Sequence, residues 1–208
     1  MVKEKMSKYR GPRLRITRRL GKLPGLTNKL SNKVNTPGQH GVNFNKKTSQ
    51  YGIRLKEKQK LRYNYGISER QLLNYIKKAR KKKGSSGKLL LTLLEMRLDN
   101  IVYRLGFAPT ILGARQLINH GHITLNNAVV NIPSFTCQVK NSIKVKKTKA
   151  SQELVKKNIE NNDKILIPQH LNLNKENLEG KIVSLVNRKS ISLIINELLV
   201  VEYYSRKV

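Results

Sequence analysis

Forty-three lysines and arginines stand against twelve aspartates and glutamates, a formal charge of +31 on 208 residues. Self-repulsion on that scale opposes a compact state unless a polyanion neutralises it. Leu, Ile, Val and Phe make up 62 of the 208 residues, about 30%, above the roughly 20% that marks disorder. A packed core is therefore feasible, and the length fits one or two small domains. The longest apolar run, Leu89 to Leu94, is interrupted by Thr92 and falls far short of the roughly 18 residues of a membrane span. A single cysteine, Cys137, excludes an intrachain disulfide and a four-cysteine zinc site. It is compatible with a reducing compartment.

The charge is unevenly placed. Residues 1–90 carry 26 Lys/Arg and three acids, whereas residues 91–208 carry 17 and nine. The stretch from Lys3 to Lys47 is a basic arm with Pro12, Pro24, Pro37 and many glycines. It is too poor in apolar residues to bury much surface alone, which points to a segment that orders on a polyanion. Its Pro and Gly break any long amphipathic helix, which argues against an anionic membrane as that partner. The N-terminus has no apolar signal core, so secretion is not expected.

No repeat of 20–50 residues is visible. Tyr51 to Tyr65 reads as a basic helix stopped by Gly66. Ser68-Glu-Arg-Gln71 fits a capping box for a helix with Leu72, Leu73, Ile76 and Ala79 on one face. Lys77, Lys78 and Arg80 to Lys83 crowd its C-terminal half, where the dipole favours cations. Lys88 to Leu105 reads as one helix, with Leu90, Leu94, Leu98, Ile101 and Leu105 at helical spacing and Gly106 as the stop. Thr110 caps a short helix, Ile111 to Asn119. Period two follows: His122 to Leu125, a turn at Asn126-Asn127, then Ala128 to Asn131. Phe135 to Val139 and Ile143 to Val145 read as two more strands. Residues 150–164 look helical, residues 165–189 are short strands and loops, and Ile191 to Tyr204 reads as a final helix.

Several motifs carry little chemistry. Lys5-Met6-Ser7-Lys8 spells a nucleotide-binding loop of tRNA synthetases, but only four residues precede it, so it reads as chance. His120, His122 and Cys137 lack zinc-like spacing. Asp99, beside Arg97, reads as a structural residue on a helix surface. No Gly-rich phosphate loop and no Ser/His/Asp arrangement stands out, and no cofactor or small-molecule substrate is expected. Between residues 97 and 150 the only acid is Asp99, against eight Lys/Arg. A solvated face would hold both signs, so this stretch reads as a binding face. Arg grips phosphate with a planar fork, and Gln, Asn or His can meet a sugar or base edge. Two other classes compete: an RNA-modifying enzyme, which needs a separate catalytic domain that this length does not hold, and a histone-like DNA binder, for which the binding hairpin is short.

Three segments, Arg97-Leu-Asp-Asn-Ile-Val-Tyr-Arg-Leu-Gly106, Ala114-Arg-Gln-Leu-Ile-Asn-His-Gly-His-Ile123 and Val129-Val-Asn-Ile-Pro-Ser134, resemble the alpha-L RNA-binding motif. The flanks narrow the resemblance. Pro37-Gly-Gln-His-Gly41, Leu55-Lys-Glu-Lys-Gln-Lys60 and Ile195-Asn-Glu-Leu-Leu-Val-Val-Glu-Tyr-Tyr-Ser205 are similar to the family of small-subunit ribosomal protein four, and the arm Arg10-Gly-Pro-Arg-Leu-Arg-Ile-Thr-Arg-Arg-Leu-Gly21-Lys-Leu-Pro-Gly25 and the close of the chain resemble plastid members above all. Two departures are local: Asn127 stands where Gly is usual in the turn, and Gly113 replaces the Glu of the usual capping box. The four cysteines that hold zinc in many bacterial members are absent near the N-terminus, so no metal is implied. Because the arm resembles mature family sequence, it is not expected to be a cleavable transit peptide; Met1 to Lys5 extend beyond the usual start of the family, which leaves Met1 and Met6 as alternative expected starts.

The resemblance implies an α+β fold. A mainly helical lobe (44–96, completed by a C-terminal helix in 190–208) would carry an inserted alpha-L lobe (97–158), an αα-hairpin on a small antiparallel sheet. An irregular basic arm (1–43) would precede it, and short strands and loops (159–189) would follow the insert. It implies a non-enzymatic constituent of the small ribosomal subunit. Such a protein binds small-subunit rRNA early at a multi-helix junction, nucleates assembly and supports decoding accuracy near the mRNA entry path. Implied partners are the rRNA, mRNA and neighbouring ribosomal proteins, notably protein five, in a plastid or, alternatively, a bacterial cytoplasm or mitochondrion. The expected phosphate contacts are Arg10, Arg13, Arg15, Arg18, Arg19, Lys58, Lys60, Arg62, Arg97, Arg104, Arg115, Lys144 and Lys146. Gln39, His40, Asn100, Gln116, His120 and His122 are expected to meet sugars or base edges.

Overall fold

The computed structural model describes Tyr9 and residues 11–41, 48–161 and 167–205. Arg10 and the Lys5 to Lys8 tetrapeptide lie outside the described residues. Contacts group the chain into two units: residues 1–87 with 195–208, and residues 88–194.

In the first unit, the basic arm is not wholly irregular. Arg13–Leu20 form a helix, α1, closed by Gly21 at φ +95 with its N–H on the Thr17 carbonyl. Ile16 and Leu20 from α1, and Leu23 and Leu26 after it, are buried. These four side chains were spread too thinly along the sequence to signal a core, yet they pack once α2 is present. Helix α2 (Gln50–Asn64) is capped by the Ser49 hydroxyl, and the buried Asn64 side chain accepts from the Gly25 N–H. Gly66, at φ +57, stops α2. Helix α3 (Glu69–Arg80) begins with the reciprocal Ser68/Gln71 capping box and buries Leu72, Ile76 and Ala79. The last helix of the chain, α8 (Glu197–Ser205), packs on α2. It starts six residues later than the apolar run suggested. Residues 191–196 form no helix and alternate buried Ile191, Leu193 and Ile195 with exposed Ser192, Ile194 and Asn196.

Helix α4 (Ser86–Glu95) leads into the second unit. The continuous helix expected from Lys88 to Leu105 is broken: Arg97 is extended (ψ 142) and α5 runs from Leu98 to Arg104. The break has a cause. Arg97 bridges Thr136, the Leu98 and Asp99 N–H groups donate to the Phe135 and Pro133 carbonyls, and the Cys137 N–H donates to the Met96 carbonyl. The 133–137 loop thus satisfies donors that a new helix start leaves open. That use leaves Phe135 to Val139 as a loop with one bridge instead of the expected strand. Gly106, at φ +79, ends α5. Helix α6 (Ile111–Asn119) starts with the Thr110 hydroxyl accepting from the Gly113 N–H, so the cap forms without the missing Glu.

The sheet has five antiparallel strands in the order β2-β1-β3-β5-β4. They are β1 (Ile123–Leu125), β2 (Ala128–Val129), β3 (Ser142–Val145), β4 (Leu171–Asn174) and β5 (Glu179–Ile182). Ile123, Leu125, Ile143, Val145, Gly180 and Ile182 are buried, while Thr124, Ser142 and Lys144 are half-buried between them. This is the alternation that a one-sided sheet requires. Gly180 faces Leu105, whose side chain occupies the space a Cβ would need. The late strands β4 and β5 therefore belong to the same sheet as the hairpin. Helix α7 (Lys149–Asn161) connects β3 to residues ahead of β4 and buries Ser151 and Val155.

Candidate nucleic-acid interface

Inside the second unit, charge is organised around two buried carboxylates. Asp99 Oδ1 accepts from Arg97 Nε (2.9 Å) and the Asn100 N–H (2.9 Å). Its Oδ2 accepts from Arg97 Nη2 and Arg115 Nε, each at 2.7 Å. Glu95 accepts from Arg104 at 2.9 and 3.2 Å and from the Asn100 amide at 2.6 Å. Arg104 Nη1 also donates to the Ser192 hydroxyl. Asp99 is thus an interior anchor, not a residue of the helix surface. Arg97, Asn100 and Arg104 are 2%, 1% and 7% exposed. Expected as RNA contacts, they instead hold α4, α5 and the 133–137 loop together. Arg97 also lies outside the helices, since it precedes α5 rather than belonging to the continuous helix expected over Lys88 to Leu105. Cys137 lies in the same interior, where burial, reinforced by Asp99, pushes its thiol up to about 12.

The other candidates of this unit reach solvent. Gln116 and His120 are exposed, Arg115 and His122 half-buried. Lys146, with Lys147 and Lys149 beside it, is exposed after β3, and none of the three has an ion-pair partner among the described residues. Lys144 is half-buried, 3.9 Å from Glu179. Ser142 donates to that carboxylate, and this bond, with Lys144 and Lys181 nearby, outweighs an opposing desolvation and holds Glu179 below the usual range. The 24 residues from Gln116 to Val139 contain no Asp, Glu, Lys or Arg. Among them, Asn126, Asn127, Val129, Ile132 and Phe135 are exposed.

In the first unit, Lys58 is buried, and both Glu69 oxygens accept from it at 2.9 and 3.0 Å. Lys58 also sits 4.7 Å from the Tyr203 ring centre. Tyr204 donates to Glu69, and these bonds outweigh burial to keep that carboxyl below its usual range. Lys60 pairs with Glu57 at 2.6 Å, and Arg62 lies 3.9 Å from Glu69. Lys58, expected on phosphate, is therefore used to join α2, α3 and α8. Arg13, Arg15 and Arg19 are exposed on α1, and Arg18 donates to the Asn35 and Thr36 carbonyls. Gln39 and His40 are exposed on the following loop. Sequence reasoning passed over exposed Lys77, Lys78, Lys81, Lys82 and Lys83 at the end of α3. Their density was assigned to the helix dipole alone, although five cations exceed what one helix end can use.

Among the described residues, no helix is long and apolar enough to cross a membrane, and no three His, Cys, Asp or Glu side chains converge as metal ligands.

Two family models match in tandem: the ribosomal protein S4/S9 N-terminal domain over residues 8–95 and the S4 domain over residues 96–143. The seam between them falls where α4 ends and Arg97 turns the chain into α5. Full-length relatives agree. Small ribosomal subunit protein uS4c of Euglena gracilis is 68% identical over 98% of this chain and all of its own length. The uS4c of Tupiella akineta is 61% identical over 97% of this chain, and uS4 of Synechococcus elongatus 59% over 98%, each matched along its whole length. With the interior anchors, the Thr110-capped α6 and the basic strand end all falling inside these matches, the chain belongs to the uS4 family of small ribosomal subunit proteins.

Proposed function

We propose that the protein is a structural constituent of the small ribosomal subunit of a plastid, and that it binds small-subunit rRNA. The observation that carries this reading is the separation of its charges. The two buried acids, Asp99 and Glu95, are taken up by Arg97, Arg115 and Arg104, and Glu69 and Glu57 by Lys58 and Lys60, while Lys146, Lys147 and Lys149 stay exposed without ion-pair partners among the described residues. Exposed cations of this kind gain free energy by replacing counterions condensed on a nucleic acid. The exposed uncharged side chains of residues 116–139 offer amides, imidazoles and apolar groups, the chemistry that suits sugars and splayed bases.

The finer reading is that the protein seats on a multi-helix junction, relieves phosphate repulsion there and so nucleates assembly. Arg13, Arg15, Arg19, Lys144, Lys146 and the α3 lysines would hold phosphates, and Gln39, His40, Gln116, His120 and His122 would meet sugars or base edges. The family resemblance further supports contact with protein five and a position near the mRNA entry path that affects decoding accuracy. The uS4c names support a plastid ribosome, and cyanobacterial uS4 proteins are among the similar relatives.

The test replaces Lys146, Lys147 and Lys149 together by Gln in the full chain. Each lost phosphate contact removes about 0.7–0.9 from the slope of log affinity against log salt. A fall of about 2–3 in slope, with an unchanged melting profile, is expected. An unchanged slope would remove this face from the interface.

A further inference from the structure

The ring of His122 is held from inside the fold. Its Nδ1 lies 2.8 Å from the Ser151 hydroxyl, which lies 2.6 Å from the Thr148 hydroxyl. Ser151 is 2% exposed, whereas His122 is half-buried. The backbone is pinned too. The His122 N–H donates to the Leu117 carbonyl in α6, and its carbonyl accepts from the Lys146 N–H. Gly121, at φ +72, makes the reversal between α6 and β1 that brings the ring there. With Nδ1 turned to a buried partner, the exposed edge of the ring is the Nε2 edge. Extending the register Ile123↔Val145 by one residue sets His122 opposite Lys146, on the same face of the ladder.

Two contacts among three polar atoms need two protons, and these can run in either direction. If Thr148 donates to Ser151 and Ser151 to Nδ1, the ring proton sits on Nε2. If both bonds run the other way, Nε2 is a bare acceptor. Position decides between them. Thr148 and Ser151 lie at the start of α7, and the positive end of a helix draws hydroxyl oxygens inward and turns their protons away. Ser151 is then the donor to Nδ1, and Nε2 carries its proton outward. A lysine ammonium on a flexible stem supplies charge with little direction, whereas this imidazole supplies direction.

We propose that Ser151, backed by Thr148, is a positioning residue that sets His122 as an Nε2–H donor to a backbone oxygen of bound RNA, either a phosphate oxygen or a ribose hydroxyl. The inference rests on the RNA-binding reading above.

The tautomer is read by two-bond proton–nitrogen NMR on the 15N-labelled full chain. The Nε2–H form is expected for His122 in the wild type, a mixture in Ser151→Ala, and recovery in Ser151→Thr. Recovery by the second hydroxyl also separates positioning from a folding defect. In binding to structured rRNA, Ser151→Ala and His122→Ala should each weaken affinity roughly threefold to tenfold, the range of one hydrogen bond. The double variant should lose no more than His122→Ala alone, and the salt slope should not change. Substituting the RNA with 2′-deoxy sugars or with methylphosphonates identifies the acceptor as whichever change erases the His122 effect. An Nδ1–H tautomer in the wild type, additive losses, wild-type affinity in either single variant, or a His122 effect that survives both substitutions overturns the proposal. If those failures coincide with a reduced slope for the lysine variant, the RNA-binding reading stands alone. If the wild type shows no affinity for structured RNA, both fall.

Discussion

Asp99 shows how a chain so poor in acids uses the few it has. One carboxylate, 1% exposed, serves two guanidiniums and a helix-start N–H. Removing one partner of such a buried group leaves uncompensated charge, at a cost of about 3–5 kcal/mol. Asp99→Ala should therefore lower unfolding free energy by that amount in urea melts, while Lys146→Ala should stay within about 0.5 kcal/mol. Equal, small effects would show that the Asp99 cluster is not an anchor. His170 carries a second residue-scale consequence. Both ring nitrogens are buried with no hydrogen-bond partner among the described residues. Burial lowers its pKa, with Arg104 lowering it further and Glu95 opposing. The folded state thus resists protonation, and the unfolded chain binds the proton first. The stability His170 contributes is complete above the unfolded value of about 6.5 and is lost as pH falls from there through the lower folded value. His170→Leu should flatten that part of the stability–pH curve; an unchanged curve would contradict it.

At the scale of elements, the β1–β2 turn holds Asn126 at φ +48 and Asn127 at φ +69. Both are left-handed, as a two-residue hairpin turn of this type requires, and glycine at the second position suits it better than asparagine. Asn127→Gly should raise stability by up to about 1 kcal/mol, and Asn127→Val should lower it by about 1–2 kcal/mol. A loss on glycine substitution would mean that the Asn127 side chain matters to the turn. This turn was legible because its cause is local, as were the Ser68 capping box, the Thr110 cap and the Gly66 and Gly106 stops. The α4–α5 break was not legible. Its cause is a bridge from Arg97 to Thr136, 39 positions on, while the leucine spacing runs on as if one helix continued. Helix α1 was missed for a related reason, since its two buried residues are paid for by α2 and not by their own neighbours. Among site residues, the exposed lysines could be read from charge alone. The inward turn of Arg97, Asn100, Arg104 and Lys58 could not, because sequence shows that a cation or an amide is present and not which carboxylate it meets.

For the whole molecule, 43 basic against 12 acidic side chains leave a net charge of +31, which a polyanionic partner would offset. Affinity for any polyanion follows from that charge, so affinity alone does not establish rRNA recognition. Selectivity does, and it must come from groups that do not depend on counterion release. The exposed amides and apolar side chains of the uncharged segment 116–139 are candidates for such groups. The most direct measurement is therefore binding of the full chain to a small-subunit rRNA junction and to an unrelated folded RNA of equal length, titrated from about 0.1 to 0.4 M salt. Both affinities should fall with salt as phosphate contacts release counterions. A preference for the junction that persists at the highest salt is the expected result. Two curves that fall together and converge would contradict rRNA recognition and leave a generic binder of polyanions.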